Sequence, residues 1–424
     1  MERIVLRGIH KENGRFDYDF SISDGLKPYF SGRPFFVEYP MNVSDVPDGV
    51  AVIPFVCSVL PLVWIADAIL EIPELDKAFY LCLPELKQGY AKMYPETIFS
   101  GELQVGKIVD CTVESAVGCG MFFSGGLDSV ETLIRLLPEK PALLSIWGSD
   151  VQCDNADGWE NVHNAICEYS QRFQLKEVVI RSGFRDFDME WELDKVYQEQ
   201  LKANWWYGVK HGIALLGHAA PYAWKMKLST IYIASSNSEE EVSVRCASDP
   251  TLDNHVRYAS CHVIHDGYAF GRQEKVHNLV EYAHRTGVYL PFHVCWTSQS
   301  GSNCCECEKC YRTMMGLIAE GENPVNYGFA DAEDTLGKMR QVLVGGKKIT
   351  ENVALEWQKI QNRIAENKEM LQTTPYWRHI KWIVRADIMH PETLRLPLSY
   401  RLRKSLAQFG WAQKLYGFVK SKIG

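Results

Sequence analysis

The chain has 424 residues, 46% hydrophobic and 23% charged, with a formal net charge of −8. That is a globular composition too long for one compact core, and two or three domains are expected. The acidic balance argues against non-specific nucleic-acid binding by the chain as a whole, and no specific nucleic-acid partner is expected. No charged n-region followed by a short apolar core opens the sequence, so a cytoplasmic setting is expected. The 13 cysteines then read as metal ligands or catalytic thiols before disulfides.

Residues 1–115 read as an accessory α+β domain. Short strands are expected at Ile4–Leu6, Phe16–Phe20, Pro34–Tyr39 and Val105–Cys111, with helical material such as Tyr90–Tyr94 between them. The stretch Gly49–Ala66 is uncharged for eighteen residues, near the lower limit for a membrane span. Pro54 and Pro61 interrupt it and Asp67 follows at once, so it reads as a strand (Val50–Phe55) and a buried helix.

From 116 to about 325, strand and helix signals alternate as a parallel α/β sheet requires. The apolar run Val117–Phe123 reads as a buried strand. It breaks into Ser124-Gly125-Gly126 and resumes as an amphipathic helix with Val130, Leu133, Ile134 and Leu137 on one face, stopped by Pro138. Paired glycines let the backbone approach a ligand and aim N–H groups at it from the positive end of a helix. Ser124 and Ser129 add hydroxyl donors, and Asp128 can hold a divalent cation. The stretch is therefore a candidate phosphate cradle. It lacks the Gly-x4-Gly-Lys of a Walker loop, so γ-phosphate transfer fits less well.

Further strands are expected at Ala142–Trp147, Glu177–Ile180 and Ile231–Ala234, with helices through His163–Phe173 and Val196–Ala220. Ligands bind such sheets beyond the carboxyl ends of the strands, which groups the cradle with Gly148-Ser149-Asp150 and Ser235–Glu241. Asp150 reads as a carboxylate near ribose or metal, or as a helix N-cap. The stretch 245–267 reads as a long loop rich in contact-making groups. It is assigned to substrate recognition through Arg245, Asp249, Asp253, His255 and Arg257, against the plainer reading of a surface excursion.

A strand at Val288–Val294 would deliver Cys295, and a helix opening near Glu308 would deliver Cys310. Cys295, Cys304, Cys307 and Cys310 give Cys-x8-Cys-x2-Cys-x2-Cys. Two-residue gaps let a tight turn present neighbouring thiolates to one zinc ion, and four protein ligands make the site structural. Cys305 is an extra thiol that either stays outside the metal or competes with Cys304.

The string Ser-Gly-Gly-Leu-Asp-Ser at 124–129 resembles the PP-loop of the ATP pyrophosphatase superfamily, whose members split ATP between the α and β phosphates. With the cysteine cluster, residues 117–318 resemble 7-cyano-7-deazaguanine synthase, an ATP- and zinc-dependent enzyme that turns a carboxylate into a nitrile through an amide. Closer still is the likeness to larger relatives with an N-terminal extension, an Ile-Trp-Gly-Ser-Asp strand end and a Cys-Glu-Lys-Cys-Tyr-Arg-Thr cluster. Three departures stand out. Cys305 replaces the synthase's Gly, Arg312 comes one residue early, and an Asp-Tyr-Ser-Gly-Tyr-Pro-Asp run is replaced by 245–267. The resemblance implies an adenine nucleotide alpha hydrolase-like (HUP) parallel sheet with helices on both faces. It also implies ATP, Mg2+ and Zn2+ as cofactors, and an ATP site made of Ser124, Gly125, Gly126, Leu127, Asp128, Ser129, Asp150, Ser235 and Ser236. Asp128 and Ser129 would be catalytic. Ser235 and Ser236 stand where relatives carry small polar residues that help close the nucleotide site; alone, they also suit a plain polar turn.

Residues 326–424 read as a helical region, with helices at Thr335–Val344 and Glu351–Leu371, the latter facing inward through Trp357, Ile360 and Ile364. Residues 393–424 hold seven Lys/Arg and no acid. There a Leu398, Leu402, Leu406, Phe409 stripe accompanies Arg401, Arg403, Lys404, Lys414, Lys420 and Lys422. Docking on the acidic remainder of the chain is preferred to an anionic membrane or an acidic partner protein.

The expected activity is an ATP-dependent ligase that adenylates a small-molecule carboxylate, releases pyrophosphate, and lets ammonia or an amine displace AMP to give an amide, the end product or the precursor of a nitrile. With no glutaminase-like segment, nitrogen comes from free ammonia or a partner protein. The alternatives are a sulfurtransferase carrying a persulfide on Cys305 or Cys261, and a non-catalytic nucleotide-binding regulator. A homo-oligomer is compatible with all three.

Overall fold

The computed structural model describes residues 1–241, 245–295, 297–298, 302–331, 336, 338 and 350–388. The basic stretch 393–424 and most of the expected helix Thr335–Val344 lie outside them. The chain forms two compact units, Met1–Ser302 and one beginning at Asn303.

The first unit is α/β, and strands β1 (Arg3–Glu12), β2 (Arg15–Ile22), β3 (Phe36–Glu38), β4 (Ile69–Asp76), β5 (Glu102–Val109), β6 (Cys119–Phe122), β7 (Ala142–Trp147), β8 (Glu177–Ser182), β9 (Thr230–Ala234), β10 (Arg257–Tyr258) and β11 (Cys261–Asp266) form one sheet. Its order is β10-β11-β9-β6-β7-β8-β3-β2-β1-β4-β5. Within it β11-β9-β6-β7-β8 is a continuous parallel block. Strand β6 opens that block in the chain yet lies at its centre, so the connections leave it in opposite directions. Such a reversal opens a crevice at the carboxyl ends of β6 and β9, where open α/β sheets take ligands. Strand β7 is buried along nearly its whole length, as a parallel strand covered on both faces must be.

The strands of residues 1–115 extend this same sheet. Strands β1 and β2 form a hairpin around Asn13-Gly14, with Asn13 at φ 52°, the turn chemistry that suits strand twist. Strand β3 then pairs antiparallel with β8, so the expected boundary at 115 falls inside one compact unit.

Four expectations are corrected. Val50–Phe55 is helical, running through Asp48–Ala51 into helix α1 (Ile53–Ile65). Pro54 sits in the first turn, where its missing N–H costs nothing. Every residue of α1 but Ile65 is buried, so no helical period marks it. Among the described residues no helix is long and apolar enough to cross a membrane. The single helix expected over Val196–Ala220 is two. After α2 (Lys77–Met93), α3 (Leu127–Leu136) and α4 (Ala156–Phe173), helix α5 (Glu190–Leu201) ends at left-handed Lys202. A π-turn at Trp206–Lys210 then leads into α6 (His211–Lys225).

The region 245–267 is more than a loop, holding a short helix (Pro250–Asp253) and strands β10 and β11. Its alternating burial, with Cys261, Val263 and His265 inward, is masked in the sequence by the polar character of His265. Finally, Val288–Val294 forms no strand; its contact with the sheet is a bridge between His293 and Gly126.

His218, on α6, is fully buried, with Nδ1 2.6 Å from the Ala214 carbonyl and Nε2 2.9 Å from Ser182 Oγ. Burial lowers its pKa to about 4, whereas the unfolded chain protonates it near 6.5. Between those values the unfolded state binds the extra proton, so this stabilisation is complete above pH 6.5 and is lost as pH falls to 4. The full effect is roughly 3 kcal/mol. Urea unfolding of His218→Gln should show a flatter dependence on pH across this window than the parent; equal slopes would remove His218 as the cause.

In the second unit, α8 (Glu308–Ala319) and α9 (Glu351–Glu366) pack together, preceded in the first unit by α7 (Arg272–Thr286). Trp357, Ile360 and Ile364 are buried as expected. Arg312 pairs with Glu308 and Glu356, Trp357 Nε1 donates to Glu308 at 2.8 Å, and Arg363 pairs with Glu320 at 2.8 Å.

Candidate functional site

The cradle lies at the crevice. Strand β6 ends at Phe122, and Phe123 still donates to the Leu144 carbonyl of β7 at 2.8 Å. The chain then turns through Gly125 at φ +73°, a conformation that costs a side-chain-bearing residue about 1 kcal/mol or more. Gly126 is the N-cap of α3 and has no side chain to cap it, so the positive end of the helix is left without that acceptor. Ser124 Oγ accepts from Gly126 N at 3.3 Å, and Ser129 Oγ donates to the Gly126 carbonyl at 3.0 Å. These two hydroxyls stand 3.4 Å apart and brace the turn from inside. His293 N donates to the Gly125 carbonyl at 3.1 Å, fixing the turn from the other side.

Asp128 meets a cation that the sequence reading overlooked. Lys275 Nζ lies 2.9 Å from Asp128 Oδ1 and donates to the Ser235 carbonyl at the end of β9. The Lys275 side chain is 3% exposed and that of Asp128 22%. Arg272 Nη2 stands 3.9 Å from the other Asp128 oxygen. Both cations sit in the first turn of α7, where the helix dipole disfavours positive charge. Basic residues three apart just after Gly271 were thus a readable sign of an anion nearby. Helix α7 is tied to α3 as Asn278 donates to Glu131 at 2.9 Å and Arg135 bonds both Glu131 and Asp266. The cradle and its lysine therefore rest on a rigid frame.

The other expected nucleotide residues divide. Ser235 is buried, takes the Lys275 hydrogen bond on its carbonyl and donates through Oγ to the Asn237 carbonyl at 2.7 Å. Ser236 and Asp150 are exposed at the ends of β9 and β7. Nearby, Arg185 Nη1 donates to the Ser149 carbonyl at 3.4 Å and its guanidinium lies 4.0 Å over the Trp206 ring. Tyr207, in the π-turn, donates to Asn237 at 3.0 Å.

Four of the five residues assigned to substrate recognition have separate partners of their own. Asp249 caps the Pro250–Asp253 helix, accepting from Thr251 N at 2.9 Å. Asp253 is buried, accepting from Ser248 at 2.8 Å and lying 2.8 Å from His265 Nδ1. Arg245 pairs with Glu96 at 3.4 Å and His255 with Glu85 at 3.1 Å. Arg257 is exposed on β10.

The four cysteines do come together. The sulfurs of Cys295, Cys304, Cys307 and Cys310 lie within 4.8 Å of one another. Cys304 and Cys310 are 3.8 Å apart, matching the roughly 3.8 Å edge of a tetrahedron with 2.3 Å metal–sulfur bonds. Backbone N–H groups of Cys307 and Cys310 point at Cys304 and Cys307 sulfurs, at 3.3 and 3.5 Å, which stabilises thiolates. The donor set fits a soft cation such as zinc. Cys305 stays outside it. It is buried, its sulfur accepts from Ala330 N at 3.2 Å, and its backbone sits at φ +54°. Position 305 is therefore one that glycine adopts more easily. No family model, curated protein or solved structure matches this chain.

Proposed function

We propose that the chain is an ATP-dependent, AMP-forming ligase that activates a small-molecule carboxylate for amide or nitrile formation, in the manner of 7-cyano-7-deazaguanine synthase, on a HUP-type sheet. The observation that carries the reading is the meeting, at the β6/β9 crevice, of an uncapped glycine-turned helix start with the Asp128–Lys275 pair.

ATP, as substrate, places its phosphates on the N–H groups of Gly125 to Asp128. A carboxylate oxygen attacks the α phosphorus and the bond to the bridging oxygen of pyrophosphate breaks. Lys275, held by Asp128 and the Ser235 carbonyl, offsets the charge that builds on the leaving group. Ammonia or an amine then displaces AMP. Mg2+, bound with the nucleotide near Asp128, would supply further neutralisation of phosphate charge. The four-cysteine set would hold zinc in a structural role, since four protein ligands close its coordination.

The sulfur-transfer alternative is weakened by burial. Cys261 is buried and its thiol is pushed up to about 12, which leaves little nucleophilic thiolate. Cys305 is buried as well.

The test is ATP–pyrophosphate exchange with Mg2+ and a panel of carboxylic acids. Exchange that depends on one acid, and falls about 100-fold or more in Asp128→Asn, is the expected outcome. ATP binding without exchange for any acid would favour the regulatory reading. Full exchange in Asp128→Asn would remove that carboxylate from the mechanism.

A further inference from the structure

A second group of metal-type ligands shares no residue with the cradle or the four cysteines. Helix α4 carries His163 and Cys167 one turn apart, hence on one face, and Glu177 opens β8 beside them. Their ligand atoms lie within 4.8 Å of one another. His163 Nε2 is 2.6 Å from Glu177 Oε1, Cys167 Sγ is 3.2 Å from Glu177 Oε2, and the sulfur and ring nitrogen are 3.5 Å apart.

His163 Nε2 and Glu177 Oε1 stand at ion-pair distance. Glu177 Oε1 is buried and has no hydrogen-bond partner, although the ring nitrogen stands so close. The 2.6 Å gap is shorter than the roughly 3.3 Å between nitrogen and oxygen ligands of one tetrahedral zinc, so the carboxylate would turn aside to admit an ion. The imidazole is held in orientation: Trp159 stacks on it at 5.9 Å and 13°, and Trp147 stacks on Trp159 at 5.6 Å and 3°. The group remains reachable, with the His163 side chain 37% exposed and Glu177 19%.

We propose that His163 Nε2, Cys167 Sγ and a Glu177 carboxylate oxygen form a second metal site that takes one Zn2+ ion. A neutral imidazole, a thiolate and a carboxylate carry two negative charges, which balance a divalent cation. Zinc accepts an N, S, O ligand set of this kind. Binding releases the Cys167 thiol proton to solvent, so uptake weakens as pH falls. Three protein ligands leave the fourth position to water, and the ion is held less tightly than by four thiolates.

The experiment uses the full chain, loaded with excess Zn2+, freed of unbound metal by gel filtration and assayed by elemental mass spectrometry. Two zinc ions per chain are expected for the parent and one for Cys167→Ser and for His163→Ala, with circular dichroism verifying that each variant is folded. Co2+ loading should give thiolate charge-transfer absorption from two sites in the parent and from the four-cysteine site alone in Cys167→Ser. One zinc in the parent, or a count that neither variant changes, would overturn the site and leave the three residues as an ion-paired cluster.

Discussion

Cys307→Ser is expected to release the zinc and lower the melting temperature by roughly 10 °C, the largest stability change anticipated for a single substitution here. Cys307 has two roles. Its sulfur belongs to the four-thiol set, and it caps α8 by accepting from Cys310 N at 3.5 Å. Serine is a strong N-cap, so the substitution preserves the cap and isolates the loss of the metal. Zinc binding to small folded sites contributes on the order of 10 kcal/mol, and a domain of 150–250 residues shifts by about 2–4 °C per kcal/mol. Even partial relaxation of the emptied site therefore gives a large change. Calorimetry with and without a chelator measures it. Stripping should bring the parent down to the temperature of the stripped variant, and the variant should respond far less to the chelator, since the three-ligand site proposed above holds its ion less tightly. A variant that melts with the parent would mean that α8 does not depend on the metal.

The parts legible in the sequence were those whose signal is local. Ser124 to Ser129 carries its glycine turn and helix start within six residues, and the cysteines carry their spacing. Strand β7 was readable because it is apolar at every position but Ser145. What escaped was information held by distant pairings. Nothing near Phe36–Glu38 announces that β3 will join β8. Helix α1 is buried on all sides, which removes the period that would have marked it. His163 and Cys167 show their four-residue spacing in the sequence, but Glu177 joins them only because β8 begins beside α4. Lys275 is the instructive omission: a lysine near a helix start looks like a solvated charge until the fold brings Asp128 to 2.9 Å.

Lys275→Met is expected to lower ATP–pyrophosphate exchange at least 100-fold, about 3 kcal/mol of transition-state stabilisation. Methionine keeps the length and apolar stem of the side chain, so the fold of α7 should persist while the charge is lost. The loss should appear mainly in kcat, because in the proposed reaction the lysine acts on charge that grows on pyrophosphate as it departs. Stability should fall less than for a wholly buried pair, about 1–2 kcal/mol, since Asp128 retains partial access to water. Removing the uncompensated carboxylate should recover part of that: Lys275→Met with Asp128→Asn should be as stable as Lys275→Met alone or more so, and no more active. This non-additivity separates a working pair from two residues that merely sit close. Lys275→Arg should rescue poorly, because a bulkier planar guanidinium must replace a compact ammonium that is 3% exposed between the Asp128 carboxylate and the Ser235 carbonyl. Exchange undiminished in Lys275→Met would show that the leaving group is met by other charges, and the site would have to be rebuilt around Arg272.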